Sequence, residues 1–197
     1  MRIGRILAQD FYAKDPALVA KSLLGKVLCR VLREVTLAGV IVETEAYYGK
    51  IDPASRAYRS KGDIAMMLYG DVGRALIYGI HGKWLFNVVA HEPCESGGVL
   101  IRALEPIKGV EMMKRFRKTD DLLKLTNGPG RLTEAMRIDK KLHKKPVYLK
   151  NSEITIREGR EEKNISRSFR IGVTRDLDIP LRFYVKDSKF LSVKPNL

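Results

Sequence analysis

Cysteine occurs only twice in the 197 residues, at Cys29 and Cys94, without C-x-x-C spacing. That leaves no material for a disulfide framework or a cysteine-rich zinc site. The three histidines, His81, His91 and His143, lack H-x-x-x-H spacing and an obvious acid partner, so no histidine metal site or histidine-activated nucleophile is expected. Long apolar runs are missing too. No uncharged stretch approaches the roughly 20 residues that cross a bilayer, and "MRIGRILAQDFYAKD" at the start has no uninterrupted apolar segment. The expectation is a soluble, intracellular protein with no membrane partner. Negative charge is in short supply: 23 acids stand against 37 lysines and arginines, a surplus of 14 positive charges. A surplus of this size points to a polyanionic partner, nucleic acid before anionic membrane. No repeat, low-complexity segment or linker divides the chain, and an apolar fraction of 45% is enough for one core, so a single domain over 1–197 is expected.

The elements that are present read as follows. Asp15-Pro16 before "ALVAKSLLG" supplies an N-cap acid, a proline at the first helical position and Gly25 as terminator, which predicts a short helix. "KVLCRVL" and "LAGVIVETEAYY" predict two strands of a hairpin, and residues 50–74 a long connection of the kind that carries function. Residues 75–90 predict a second hairpin with its tip near His81-Gly82-Lys83. "GGVLIRALEP" predicts a strand stopped by Pro106, followed by an amphipathic helix with a basic face through "PIKGVEMMKRFRKT". "LTNGPGRLTEAMRI" reads as a turn and a helix, and 152–159, 169–176 and 180–193 as strand candidates. Strands joined largely by hairpins, with a few helices, make an α+β domain with a largely antiparallel sheet.

Three polar residues sit in apolar strands: Glu45 in "VIVETEAYY", Asn87 in "WLFNVVA" and Arg102 in "VLIRALEP". A charge in such a place costs several kcal/mol unless it is paired or faces a cleft. Two readings of Glu45 and Arg102 are open, a structural ion pair beneath the surface or a pocket in which the carboxylate acts as general base and the arginine keeps it ionised. Glu43, two positions from Glu45 on the same strand face, reads as a structural carboxylate, and Tyr47 as a stacking wall. Tyr78, near a hairpin tip, reads either as a packing residue or as a wedge between bases. "NGPG" at 127–130 is a helix-capping turn or a helix-hairpin-helix element, and the lysines from Lys140 to Lys150 a solvated face or a phosphate-contacting one.

In order along the chain stand "VETEAY" (42–47), "DPAS" (52–55), "YG" (78–79), "VLIRALEP" (99–106), "NGPGRL" (127–132) and "PLRFYV" (180–185). Together they resemble the alkyladenine (3-methyladenine) DNA glycosylase family over almost the whole chain, from about Leu7 to Val193. The resemblance implies a single domain with a curved antiparallel sheet flanked by helices and a protruding hairpin that enters the minor groove. It implies a monofunctional enzyme that flips a damaged purine, alkylated or deaminated, out of double-stranded DNA and hydrolyses its N-glycosidic bond to begin base excision repair. No metal or organic cofactor is implied, and a monomer working with the cellular DNA is expected. On this resemblance Glu45 is the general base and Arg102 the arginine beside the attacking water. The Ile171 carbonyl helps to hold that water, with Gly172 and Leu100 around the base. Tyr47 stacks on the flipped base, Tyr78 fills the vacated stack, and Asn87 disfavours the exocyclic amine of normal guanine.

Departures from the family pattern fall at the pocket. Arg56 stands where the family has a histidine, Ala75 where it has a second stacking tyrosine, and the hairpin carries two extra residues around Gly82-Lys83. With Ala75 and Arg56 in the substrate site, the expectation is a shift from 3-methyladenine toward neutral lesions such as hypoxanthine. Two rivals remain open here: a catalytically weak damaged-DNA-binding protein of the same fold, and a lyase that uses a lysine Schiff base.

Overall fold

In the computed structural model residues 3–33 and 35–194 are described. The alternating β-branched run predicted from 37 to 48 forms β2, Val35–Tyr48, the central strand of an eight-stranded antiparallel sheet. One edge of β2 pairs with β5 (Gly97–Lys108) along almost its whole length. Its other edge is shared: β1 (Val27–Leu32) takes the first part, and β8 (Arg182–Val185) pairs with Glu43, Thr44 and Glu45. Register shifts in the β2–β5 pair around Gly39 and Glu43 bend these strands and curl the sheet into a half-barrel.

The remaining strands extend that frame. β3 (Ala75–Ile80) and β4 (Lys83–Val89) form the predicted hairpin and continue the sheet beyond β5, giving the order β3-β4-β5-β2-β1-β6 with β6 at Ile154–Arg157. β7 (Ile165–Ser168) pairs with β8. The helices are α1 (Pro16–Ser22), α2 (Arg56–Arg59), α3 (Asp63–Met67), α4 (Val110–Arg117) and α5 (Pro129–Ala135). Among the described residues no helix is long and apolar enough to cross a membrane.

Each element follows from local chemistry. Asp15 caps α1 by accepting from the Ala17 and Leu18 amides at 2.8 and 3.1 Å, and Gly25, at φ +83°, turns the chain into β1. The apolar faces meet in one main core that includes Tyr12, Leu28, Ile41, Phe86, Ile101 and Leu104. The lysine-rich segment after Lys140 lies along the outer edge of β3: the Ala75 amide donates to the Lys145 carbonyl and the Lys144 amide to the Ala75 carbonyl, both at 2.8 Å. His143 joins this edge by accepting from the Ile77 amide at Nδ1, 3.1 Å away. An edge strand with its backbone groups taken is protected from unwanted pairing.

Four expectations are corrected. β5 does not stop at Pro106, because that proline faces Gly39 at a register shift and its missing donor breaks no regular ladder. Residues 169–176 are a loop, with Gly172 at φ +74°, and the short polar strand Ile165–Ser168 precedes it. The connection 50–74 contains α2 and α3. Of the strand candidate 180–193 only Arg182–Val185 is a strand, and the β3–β4 hairpin keeps its expected tip. Register runs without interruption from Ala75 opposite Val88 to Ile80 opposite Lys83, leaving a two-residue turn in which His81 and Gly82 have φ of +48° and +73°. Positive φ at both positions is what a tight primed turn requires.

Candidate active site

Directly paired residues on antiparallel strands project to the same face of a sheet, and so do residues two apart on one strand. Tyr78 is opposite Leu85, and Asn87, two further along β4, is opposite Leu100 of β5. Leu100 is opposite Glu45 of β2. One face therefore carries Tyr78, Leu85, Asn87, Leu100, Arg102, Glu45 and Tyr47 across four adjacent strands. A cleft of about 410 Å³ opens on this face, a size suited to a small organic group. Tyr47, Arg56, Tyr78, Leu100, Arg102, Ile171 and Gly172 line it, with His81 at its rim.

Behind the lining lies Glu45, which has no exposed surface. Its Oε2 accepts from the Tyr47 hydroxyl at 2.7 Å and from Arg102 Nη1 at 3.1 Å, and its Oε1 accepts from the Ile171 amide at 2.7 Å. All three donors belong to the cleft wall. The Tyr47 phenol is pushed well up by burial and then by the Glu45 charge, so it stays protonated and remains a donor. Burial works against the Arg102 charge, but the Glu45 and Glu43 carboxylates outweigh it and hold the guanidinium cationic.

Glu43, also without exposed surface, is held by four hydrogen bonds. It accepts from Arg102 Nε at 3.0 Å, Arg182 Nε at 2.8 Å, and the amide and hydroxyl of Ser192, both at 2.6 Å. Glu43 thus fixes the root of the guanidinium whose tip holds Glu45. The two carboxylates differ in where their donors lie: Glu45 Oε1 and Glu43 Oε2 each carry a single donor and keep a free acceptor direction, but all the donors on Glu45 line the cleft, whereas Arg182 and Ser192 on Glu43 do not.

The family model for methylpurine-DNA glycosylase matches residues 10–189. The chain belongs to that family. Relatives agree over nearly the full length. A protein of Aeropyrum pernix named "Putative 3-methyladenine DNA glycosylase" is 40% identical over 193 residues, covering 96% of this chain and 94% of its own. Proteins of the same name from Clostridium botulinum and Carboxydothermus hydrogenoformans are 42% and 40% identical, each covering 96% of this chain and 100% of their own.

Against this family background, the structure brings Tyr47, Arg56, Leu100, Arg102, Ile171 and Gly172 together at the cleft with Glu45 directly behind them. Two placements differ from the expected ones. Ala75 is not a wall residue. Three positions from Tyr78 it lies on the opposite face of β3, fully buried in the main core, and nothing of it reaches the cleft. Tyr78, in turn, does not protrude from the hairpin. Its ring is partly buried against α2 and α3, lines the cleft, and carries the Arg56 guanidinium at 4.9 Å from its centre. Burial raises the Tyr78 phenol, with Arg56 opposing the shift. The cleft thus has two lining tyrosines, Tyr47 and Tyr78.

Asn87 is held one step back from the cleft, 4% exposed, its Nδ2 donating to the Leu76 carbonyl at 3.2 Å. "NGPG" opens α5, which supports the hairpin from below: Thr133 Oγ1 donates to the Trp84 carbonyl at 2.8 Å. Sequence reasoning missed a buried ion cluster beside Tyr47, in which Arg170 joins Asp52 of "DPAS" to Asp176. The signal available was the arginine in "FRIGV", a charge among apolar residues with an acid six positions on at Asp176; nothing in the sequence pointed to Asp52.

Proposed function

We propose that the protein is a monofunctional DNA glycosylase that takes a damaged purine into the cleft and hydrolyses its N-glycosidic bond. The observation that carries this reading is the Glu45 carboxylate caged by Arg102, Tyr47 and the Ile171 amide directly behind a base-sized cleft lined by two tyrosines. The reaction needs a water at the free acceptor direction of Glu45 Oε1. Its oxygen forms a bond to the sugar C1′, the N-glycosidic bond breaks with its electron pair leaving on the base, and the water proton passes to Glu45. A cationic alkylpurine departs neutral; a neutral lesion departs as an anion or takes a proton from solvent. Arg102 keeps the carboxylate in place and charged while this happens.

C1′ cannot be reached with the base stacked, so the enzyme must meet an unstacking cost of a few kcal/mol, lower for damaged or mispaired bases. Phosphate contacts from the basic surface and a side chain in the vacated stack offset it. With Tyr78 packed inside, the residue free for that second task is His81, exposed at the tip of the two-residue turn. Tyr47 and Tyr78 then serve as the stacking pair. Arg56 and Arg59 on α2 add positive charge to the cleft mouth.

The lyase alternative finds no support: among the described residues, no lysine lines this cleft to form a Schiff base. The binding-only alternative drew on Arg56 and Ala75, and Ala75 lies outside the site. Incubation with duplexes carrying a single hypoxanthine or 3-methyladenine separates all three. The expected products are free base and an intact strand with an abasic site. A nicked strand would support the lyase, and lesion binding without base release the binding protein.

A further inference from the structure

Two of the three donors on Glu45 have a common origin. Arg170 immediately precedes Ile171, whose amide donates to Glu45 Oε1, and its guanidinium lies 4.5 Å from the centre of the Tyr47 ring, whose hydroxyl donates to Oε2. Its side chain has no exposed surface. Nη1 donates to Asp52 Oδ2 at 2.6 Å and to the Ala46 carbonyl at 3.0 Å, and Nη2 to Asp52 Oδ1 at 2.8 Å. Nε donates to Asp176 Oδ1 at 2.9 Å, and Nη2 also meets that carboxylate. Asp52 is fixed in turn by the Tyr48 and Ala54 amides, each at 3.0 Å.

This arrangement does more than neutralise charge. Ala46 lies between Glu45 and Tyr47 on β2, so the guanidinium clamps the loop after β7 to the strand segment that carries the carboxylate. The fork on Asp52 fixes the plane of the guanidinium, and that plane backs the ring of Tyr47 on its buried side. Burial alone would weaken the Arg170 charge, but its hydrogen bonds to Asp52 and Asp176 reverse the effect, so the clamp stays cationic across the working pH range.

We propose that Arg170, held by Asp52 and Asp176, is a positioning residue that sets both the Tyr47 hydroxyl and the Ile171 amide on Glu45. It touches neither the base nor the water. Arg102 and Glu43 fix the carboxylate from one side of the cleft, and Arg170 fixes it from the other. The claim rests on Glu45 being the general base, and it makes a separate demand on the protein without DNA.

The test uses Arg170→Lys, which keeps the charge but cannot make the planar fork. Asp176→Asn serves as a milder variant, because Asp176 is partly exposed and leaves the Asp52 fork intact. Two measurements are made on each folded protein: hydrogen exchange of the Ile171 amide against that of core amides such as Val88 and Ile101, and the single-turnover excision rate against affinity for the lesion duplex. Positioning predicts that the Ile171 amide exchanges at least about 10-fold faster while core amides keep their protection. The excision rate should fall by about 10²-fold, the penalty expected of a misplacement near 1 Å, with affinity changed by less than about threefold. Asp176→Asn should move both readouts in the same direction by less. Unchanged Ile171 exchange in both variants would overturn the proposal, as would rate and core protection falling in parallel. If the parent protein released no base, the glycosylase reading would fail and the exchange result would still decide whether Arg170 places the Ile171 amide.

Discussion

The Tyr47 hydroxyl donates to Glu45 Oε2 at 2.7 Å, so the ring proposed to stack on the base also holds the carboxylate proposed to activate the water behind it. Stacking and activation are therefore separable by substitution. Tyr47→Phe keeps the ring and removes one donor, and it should slow single-turnover excision while leaving affinity for the lesion duplex nearly unchanged. Glu45→Gln keeps the shape and removes the base, and turnover should fall by about 10²–10⁴-fold with binding retained. Normal turnover in Glu45→Gln would remove Glu45 from the reaction.

Tyr78 and His81 occupy different environments and should fail differently. Tyr78→Ala removes a cleft wall and should weaken lesion binding by about 1–3 kcal/mol, the usual worth of base-aromatic stacking. His81→Ala, at an exposed turn, should leave the melting temperature within error and lower excision from fully paired duplex. A lesion in single-stranded DNA, which needs no filled stack, should be spared. Equal losses on both substrates would deny His81 the wedge role.

Ala75→Tyr offers a test of strand face. Ala75 is fully buried in the main core, so a tyrosine there overpacks it and should cost about 1–3 kcal/mol or more of stability with no gain in lesion affinity. Tighter lesion binding by this variant would place position 75 at the cleft after all.

Arg56 does reach the cleft, and its fixed charge donates hydrogen bonds without accepting any. It should favour neutral bases that present a carbonyl over cationic alkylpurines. Arg56→His should raise the ratio of 3-methyladenine to hypoxanthine release. An unchanged ratio would show that Arg56 does not contact the base.

His143 gives the hairpin a pH dependence. Its Nδ1 must be unprotonated to accept from the Ile77 amide, and burial lowers its folded value below the ordinary 6.5, with Asp63 working in the opposite direction. Between the two values the unfolded chain binds more protons, so stability rises with pH through that window. The contribution is complete above about 6.5 and is lost as pH falls toward the folded value. Melting curves taken from pH 7.5 to 5 should show this slope, and His143→Gln should flatten it.

The Glu45–Arg102 pair was legible because a charge inside an apolar strand demands a partner, and "VLIRALEP" offered an arginine in the same predicament. The β2–β5 pairing that joins them is the most extensive in the sheet. Ala75 was misread although the correction lay in the sequence: three positions along a strand change the face, so Ala75 and Tyr78 could not both look into one pocket. The Arg170–Asp52 contact was not legible. It spans 118 residues and joins two segments without strand periodicity, so nothing local records that they meet.

Ser192 binds Glu43 across 149 residues of sequence, with its amide and its hydroxyl. On a ribosome, β2 and β5 emerge and can pair long before that serine exists. Until it arrives, Glu43 lacks two of its four donors, although Arg102 already spans both carboxylates, with Nε on Glu43 and Nη1 on Glu45. Three of the four donors on Glu43 thus come from residues made after every cleft residue, so a chain cut between Thr174 and Arg182 carries the whole cleft lining without most of the hydrogen bonds that hold Glu43.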